Sequence, residues 1–323
     1  MVGMPHGRCL PFSKQWRVVE EISNTFKGIR PLIAWFIITT SLEHLNHDIL
    51  LYVLSYADTE SLLSLAQLLS TLRCLIKRFF LSCWREELST FFLPPTETRM
   101  WMRHLNIVVS GSSALCQVLP NTMQWQNSDL DIYCPQKNAV PCLEYLFKQG
   151  YDVIWSEELS PPNDPFPYLP YHGPGIFAVI RLQHPGQKKI NVIISITDNA
   201  LLPITSFWGS IVQNYIAADS FTIAYPHTTL NGIGYIAPER AQLTKTLECV
   251  EKYHARGFII LQYDCINHHP YCPAHLRSFD DHCTLRFSFT EHLNYFRQHL
   301  HYWRLNLHCH CETYVANFCD VFA

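Results

Sequence analysis

The chain carries no strong charge of either sign, no apolar run long enough for a membrane span, no secretory leader pattern and no Cys-x2-Cys pair. Each absence removes a class of protein. With 24 Lys and Arg against 27 Asp and Glu, the formal net charge is -3. No global positive field points to nucleic acid or anionic lipid, so nucleic-acid binding stays open only through a local basic groove. The longest apolar stretches are Pro31 to Thr40, too short for a bilayer, and Ile49 to Leu69, which Asp58, Glu60 and Gln67 interrupt. Neither asks for a membrane. The 13 cysteines are odd in number, and the first twenty residues hold no continuous apolar segment beside a small-residue cleavage site. The expectation is a soluble protein of a reducing compartment, cytoplasmic or nuclear, with mostly free thiols. What is present is ample core material: 323 residues, 48% of them hydrophobic, or about two domains' worth.

Residues 1 to 40 read as an N-terminal extension without a clear period, and residues 41–93 as a helical segment. Leu45, Ile49, Val53 and Leu54 recur at helical spacing, and Leu62, Leu65, Leu69 and Leu72 do so again. Asp58-Thr59 offers a cap between them, with Thr59 as the expected N-cap. The Pro94-Pro95 step marks a junction. Beyond it, residues 96–262 read as an α/β domain and residues 263–323 as a Cys/His-rich tail.

The segment from Leu45 to about Trp84 resembles an F-box. Leu45 stands at the usual start, Asn46 where proline is typical, and Asp48 in the acidic place. Leu62, Leu65 and Ala66 match the second helix. The resemblance implies docking onto a Skp1-type adaptor of a ubiquitin ligase, with the rest of the chain recruiting the substrate. The same pattern also suits a helical cap packed on the next domain.

The central block has a definite order. Leu105 to Val109 predicts a buried strand, and it runs directly into Ser110-Gly111-Ser112-Ser113. An apolar helix follows, then a loop with Trp125, then Ser128-Asp129-Leu130-Asp131-Ile132-Tyr133. A glycine lets the backbone approach a phosphate, free amides at a helix start favour anions, and Ser112 adds a hydroxyl. Asp129 and Asp131, two apart on a strand, leave one face while Leu130 and Ile132 enter the core. Two converging carboxylates repel unless a cation sits between them, so a divalent metal such as magnesium is the expected partner.

This order of Gly-Ser, short helix and Asp-hydrophobic-Asp strand resembles the nucleotidyltransferase signature. Ala139 to Gln149 predicts a helix with Gly150 just past its end, Tyr151 to Trp155 a strand, and the proline-rich stretch 156–175 a loop. Ile176 to Gln183 and Lys189 to Ile196 predict a hairpin turned at His184-Pro185-Gly186-Gln187. In the resembled family a third catalytic carboxylate lies on this later strand, and the matching position holds Asn191. An amide offers an oxygen but no negative charge and no base. The fold expected is therefore α+β: a helical F-box-like segment, then a nucleotidyltransferase-fold mixed sheet with flanking helices. Catalysis is expected to be weakened or absent, with a binding or regulatory role. The cofactors implied are magnesium at Asp129 and Asp131 and a nucleoside triphosphate at Gly111 and Ser112. An active metal-dependent transferase is the alternative.

Phe207 to Asn214 and Ala224 to Thr229 resemble a block in fungal proteins that join an F-box-like N-terminus to a nucleotidyltransferase-like domain, over roughly residues 45 to 290. Pro238 to Tyr253 predicts a helix ending before Gly257, and Phe258 to Leu261 a strand. In the tail, Cys265 and Cys272 with Cys283 or His282 could supply a tetrahedral zinc site, although the spacing is not that of a zinc finger. Ordinary thiols and surface histidines are the other reading.

Overall fold

Helix signals dominate the first described stretch, and each can be traced to a residue. The computed structural model describes residues 47–68, 70–119, 125–158, 175–262, 276–290, 302, 303 and 305. Its chain divides into two compact units, Met1–Phe79 and Phe80–Ala323. In the first, α1 spans His47–Leu54, α2 Thr59–Leu68, and α3 begins at Ser70 and runs to Thr90. The cap of α2 lies one residue earlier than Thr59: the Asp58 carboxylate accepts the Ser61 N–H at 2.7 Å. At the other end, Arg73 Nε donates to the Ala66 carbonyl at 2.8 Å, which satisfies one of the orphan acceptors of the last turn. The helix expected to run through Leu72 is thus two helices, α2 and α3. Leu50, Leu54, Leu62, Ala66, Leu72, Leu75 and Ile76 are buried, at the helical spacing expected of an amphipathic pair.

The second unit opens its mixed α+β architecture with α4, Pro95–Leu105, for which Pro95 supplies a pre-set first turn. Asn106 takes the left-handed conformation at φ 53° and hands its N–H to the Met102 carbonyl. That reversal keeps Leu105 in the helix, so β1 is only Val108–Ser110, shorter than the strand expected from Leu105 to Val109. There follow α5 (Gly111–Val118), β2 (Asp129–Cys134), α6 (Ala139–Lys148), β3 (Asp152–Glu158), β4 (Ile176–Gln183) and β5 (Lys189–Ser195). After α7 (Leu202–Thr205) come β6 (Asn214–Ile216), β7 (Ser220–Ile223), α8 (Pro226–Leu230) and β8 (Ile233–Ile236). The helix expected from Pro238 to Tyr253 is instead a 3-10 turn at Pro238–Arg240 and then α9, Thr244–Ala255. The chain continues through β9 (Ile259–Gln262), β10 (Arg277–Ser278), β11 (Leu285–Ser288) and β12 (Tyr302–Trp303). Most of the proline-rich stretch, 159–174, lies outside the described residues. Among those described, no helix is long and apolar enough to cross a membrane.

Eight strands form one sheet in the order β11-β7-β6-β1-β2-β5-β4-β3. Among the described strands of this sheet only β2 and β5 are parallel neighbours, and they register Asp131 against Asn191 and Tyr133 against Ile193. Hairpin pairing then sets Asn191 opposite Arg181 and Ile193 opposite Val179. Side chains two apart share a face, so one face carries a polar row, Asp131, Asn191 and Arg181. One pleat further on it carries Tyr133, Ile193 and Val179, which are buried in a core shared with Ala200, Ile204, Tyr215 and Phe279. The polar row sits where that core ends. Leu130 and Ile132 fill the opposite face, both essentially inaccessible.

Candidate functional site

The site is assembled where β1 turns into α5 beside the first residues of β2. Gly111 holds φ at +69°, and a Cβ built there would lie 2.5 Å from Asp131 Oδ2. A glycine is therefore required twice over, by the left-handed backbone and by the close approach of a carboxylate. The approaching group is this chain's own Asp131. Ser112 is similarly engaged: its hydroxyl lies 3.1 Å from the Tyr253 hydroxyl and accepts from Arg256 Nη1 at 3.0 Å. Ser113 Oγ donates to the Asp129 carbonyl at 3.3 Å, tying α5 to β2.

Asn191 joins the two carboxylates. Its Nδ2 donates to Asp129 Oδ2 at 3.1 Å and to Asp131 Oδ1 at 2.8 Å, one hydrogen for each acid. Ser128 Oγ adds a third donor, to Asp129 Oδ1 at 3.1 Å. Burial, with the neighbouring Asp129 charge in support, pushes the Asp131 carboxyl up to about 6, while the Asn191 hydrogen bond and the charges of Lys252 and Arg181 hold it down.

Around this centre the positive groups come from several elements. Arg181 of β4 lies 4.8 Å from the Trp155 ring centroid. Lys189 registers against Asp129 across β5 and β2. Lys252 comes from α9 and Arg256 from the cap just past its end, and the Arg256 guanidinium lies 4.5 Å from the Trp125 centroid and 5.2 Å from that of Tyr253. Behind them Trp125 Nε1 donates to Asn127 Oδ1 at 2.9 Å, Asn127 Nδ2 donates to Glu87 Oε1 at 2.8 Å, and Lys188 Nζ donates to the Asn127 carbonyl at 3.0 Å. This network fixes the approach to β2. Burial raises the Glu87 carboxyl above its ordinary range against the pull of Asn127, Ser113 and Lys188.

The structure thus brings Gly111, Ser112, Asp129, Asp131 and Asn191 together, and it corrects what they were expected to hold. Among the described residues no group of three His, Cys, Asp or Glu side chains could hold a metal ion. The magnesium expected at Asp129 and Asp131 lacks a third anionic ligand, and the Asn191 amide turns a donor toward both acids. The nucleoside triphosphate expected at Gly111 and Ser112 is corrected with it, for Asp131 approaches Gly111 and the Ser112 hydroxyl is engaged by Tyr253 and Arg256. Zinc is corrected on the same ground. Cys265 and Cys272 lie outside the described residues, and His282 is exposed. Cys283 occupies a turn in which its N–H donates to Asp281 Oδ1 at 3.0 Å, and Arg277 Nε donates to Asp281 Oδ2 at 2.7 Å. That carboxylate serves an arginine and a turn.

The reading of the residues missed Arg181, Lys252, Tyr253, Arg256 and the Asn127 network. Arg181 was within reach of it, because counting back from the hairpin turn pairs it with Asn191. Arg256 was not, since the contact with Ser112 spans 144 positions. No protein-family model, curated protein or solved structure matches the chain.

Proposed function

We propose that this is a nucleotidyltransferase-fold protein that performs no nucleotidyl transfer and serves, in the cytoplasm or nucleus, by binding or regulation. The observation that carries the reading is the Asn191 amide, which donates to Asp129 and Asp131 where a third carboxylate would take a proton from an attacking hydroxyl. The Gly111 turn, the adjacent β2 and β5 and their parallel register are the parts of the reading that concern the fold. Arg181, Lys189, Lys252 and Arg256 around two acids, one of them readily protonated, favour an anionic ligand.

The test is label incorporation by the full chain from each nucleoside triphosphate, with magnesium or manganese(II) and with protein and RNA acceptors. No incorporation above that of Asp131→Ala is expected. Robust transfer that disappears in Asp131→Ala refutes the reading. Titration with inorganic triphosphate in EDTA checks the anionic ligand, with weakening in Lys252→Met expected and unchanged binding counting against it.

A second reading concerns residues 41–93 as an F-box-type segment that docks a Skp1-type adaptor. It is favoured by Tyr52 and Tyr56, which stand exposed on and just beyond α1 with ring centroids 5.1 Å apart while Leu50 and Leu54 turn inward. Co-expression with such an adaptor should give a complex that survives gel filtration. A chain that stays soluble and elutes alone overturns it.

A further inference from the structure

We propose that the Asn191 amide is a built-in replacement for a divalent cation, so that the Asp129–Asp131 centre is complete without metal and gains a metal site on the change of a single side chain. The inference needs only the geometry, and stands apart from whether the protein transfers nucleotides. Two carboxylates leaving one face of a strand two residues apart need something electropositive between them. The amide has two N–H hydrogens on one nitrogen, and that nitrogen lies 3.1 Å from Asp129 Oδ2 and 2.8 Å from Asp131 Oδ1. Each hydrogen answers one acid, and hydrogen bonds to ionised groups are the stronger kind.

A cation entering at that point meets a nitrogen with no lone pair to give. Turning the amide over would present its oxygen, but both acids would lose their donor in the process. The surroundings oppose a cation as well. Arg181 stands opposite Asn191 in the hairpin, and both Arg181 and Lys252 act on Asp131 with positive charge. On the other side Arg256 acts on Asp129 and holds Ser112. Replacing the amide nitrogen by a carboxylate oxygen reverses the local chemistry, because three oxygen ligands on adjacent strands then face one point, as a hard divalent ion prefers.

The experiment is manganese(II) binding to the full chain, read by the loss of the free-ion electron paramagnetic resonance signal, for the natural chain, Asn191→Asp and Asn191→Ala. The natural chain should take up none over the range in which Asn191→Asp binds about one ion, a gain of at least ~100-fold from one added charge at this range. Asn191→Ala, which removes the donor without adding a ligand, should melt at a lower temperature than the natural chain and regain part of the loss when manganese(II) is added. The natural chain should show no such rise. Tight binding by the natural chain overturns the proposal, as does a folded Asn191→Asp that gains nothing. Should Asn191→Asp fail to fold, Asn191→Ala decides, and a melting temperature indifferent to manganese(II) overturns the proposal. None of these readouts involves transfer, so absence of transfer together with tight manganese(II) binding by the natural chain would leave the proposed function standing and overturn this inference alone.

Discussion

Changing Gly111 to alanine tests whether the centre is rigid, because the structure separates the two reasons for that glycine. The first is backbone: φ of +69° is a left-handed conformation, in which a Cβ costs about 1–2 kcal/mol. The second is steric, since the new methyl would lie 2.5 Å from Asp131 Oδ2. If Asp131 is held by Asn191, moving it sacrifices a hydrogen bond to a charged group, worth about 1.5–3 kcal/mol. Gly257 supplies the control, with φ of +90° and nothing within 4 Å of its built Cβ. Gly257→Ala should therefore show the backbone cost alone, and Gly111→Ala that cost plus the collision, for a total of about 2.5–5 kcal/mol. Equilibrium urea unfolding of both variants, and of Gly111→Ala in an Asp131→Ala background, measures the difference and its origin. The excess should vanish in the double variant. Equal losses for Gly111→Ala and Gly257→Ala would refute the reasoning, for they would mean that Asp131 swings aside freely and that its bond to Asn191 does not fix it.

Asp131, with its folded value raised to about 6, favours the folded state most at acid pH and loses that contribution as pH rises through 6. Asp131→Asn should therefore be more stable than the natural chain at pH 8, with the gap closing between about pH 6 and pH 4 in paired urea titrations. Asp281 runs the other way. Burial would raise its carboxyl, but the hydrogen bond and charge of Arg277 outweigh it and hold the value below the ordinary range. The stability it contributes is present above the ordinary carboxylate value and lost on acidification, so Asp281→Asn should be costly at pH 7 and nearly neutral at the lowest pH at which the chain still folds. Asp219 receives Arg99 Nη2 at 2.6 Å, and both of these side chains are largely enclosed. Asp219→Ala should cost about 3 kcal/mol by leaving the Arg99 charge without its partner. Arg103→Ala, removing an outer arginine that is half exposed, should cost less than about 1 kcal/mol by the same measurement.

What the sequence made legible here is local. Alternation over Asp129 to Tyr133 assigns two acids to one face and two apolar residues to the other, because the pleat has a period of two and needs no partner to express it. The hairpin from Ile176 to Ser195 is readable for the same reason, with Pro185-Gly186 marking its turn. The far half of the sheet was not readable. Strands β6 and β7 have three and four residues, too few for alternation to stand out, and β11 joins β7 across some sixty positions. The closing of α9 over Ser112 was hidden likewise: an amphipathic helix declares that one face is buried, and not against what.

Asn191 shows where reading along the chain misleads even when it finds the right position. Set beside a carboxylate, an asparagine is a residue that lacks a charge and a base, and the natural inference is a site with a piece missing. Its amide, however, has hydrogens that a carboxylate lacks, and only the parallel register of β2 and β5 reveals that both point at acids. A donor between two carboxylates does the electrostatic work that a cation would do, at fixed position and without dependence on metal supply. The same residue that weakens the case for catalysis therefore strengthens the case for a stable, self-contained centre. This is also why single-side-chain changes at this position should move metal binding and stability together.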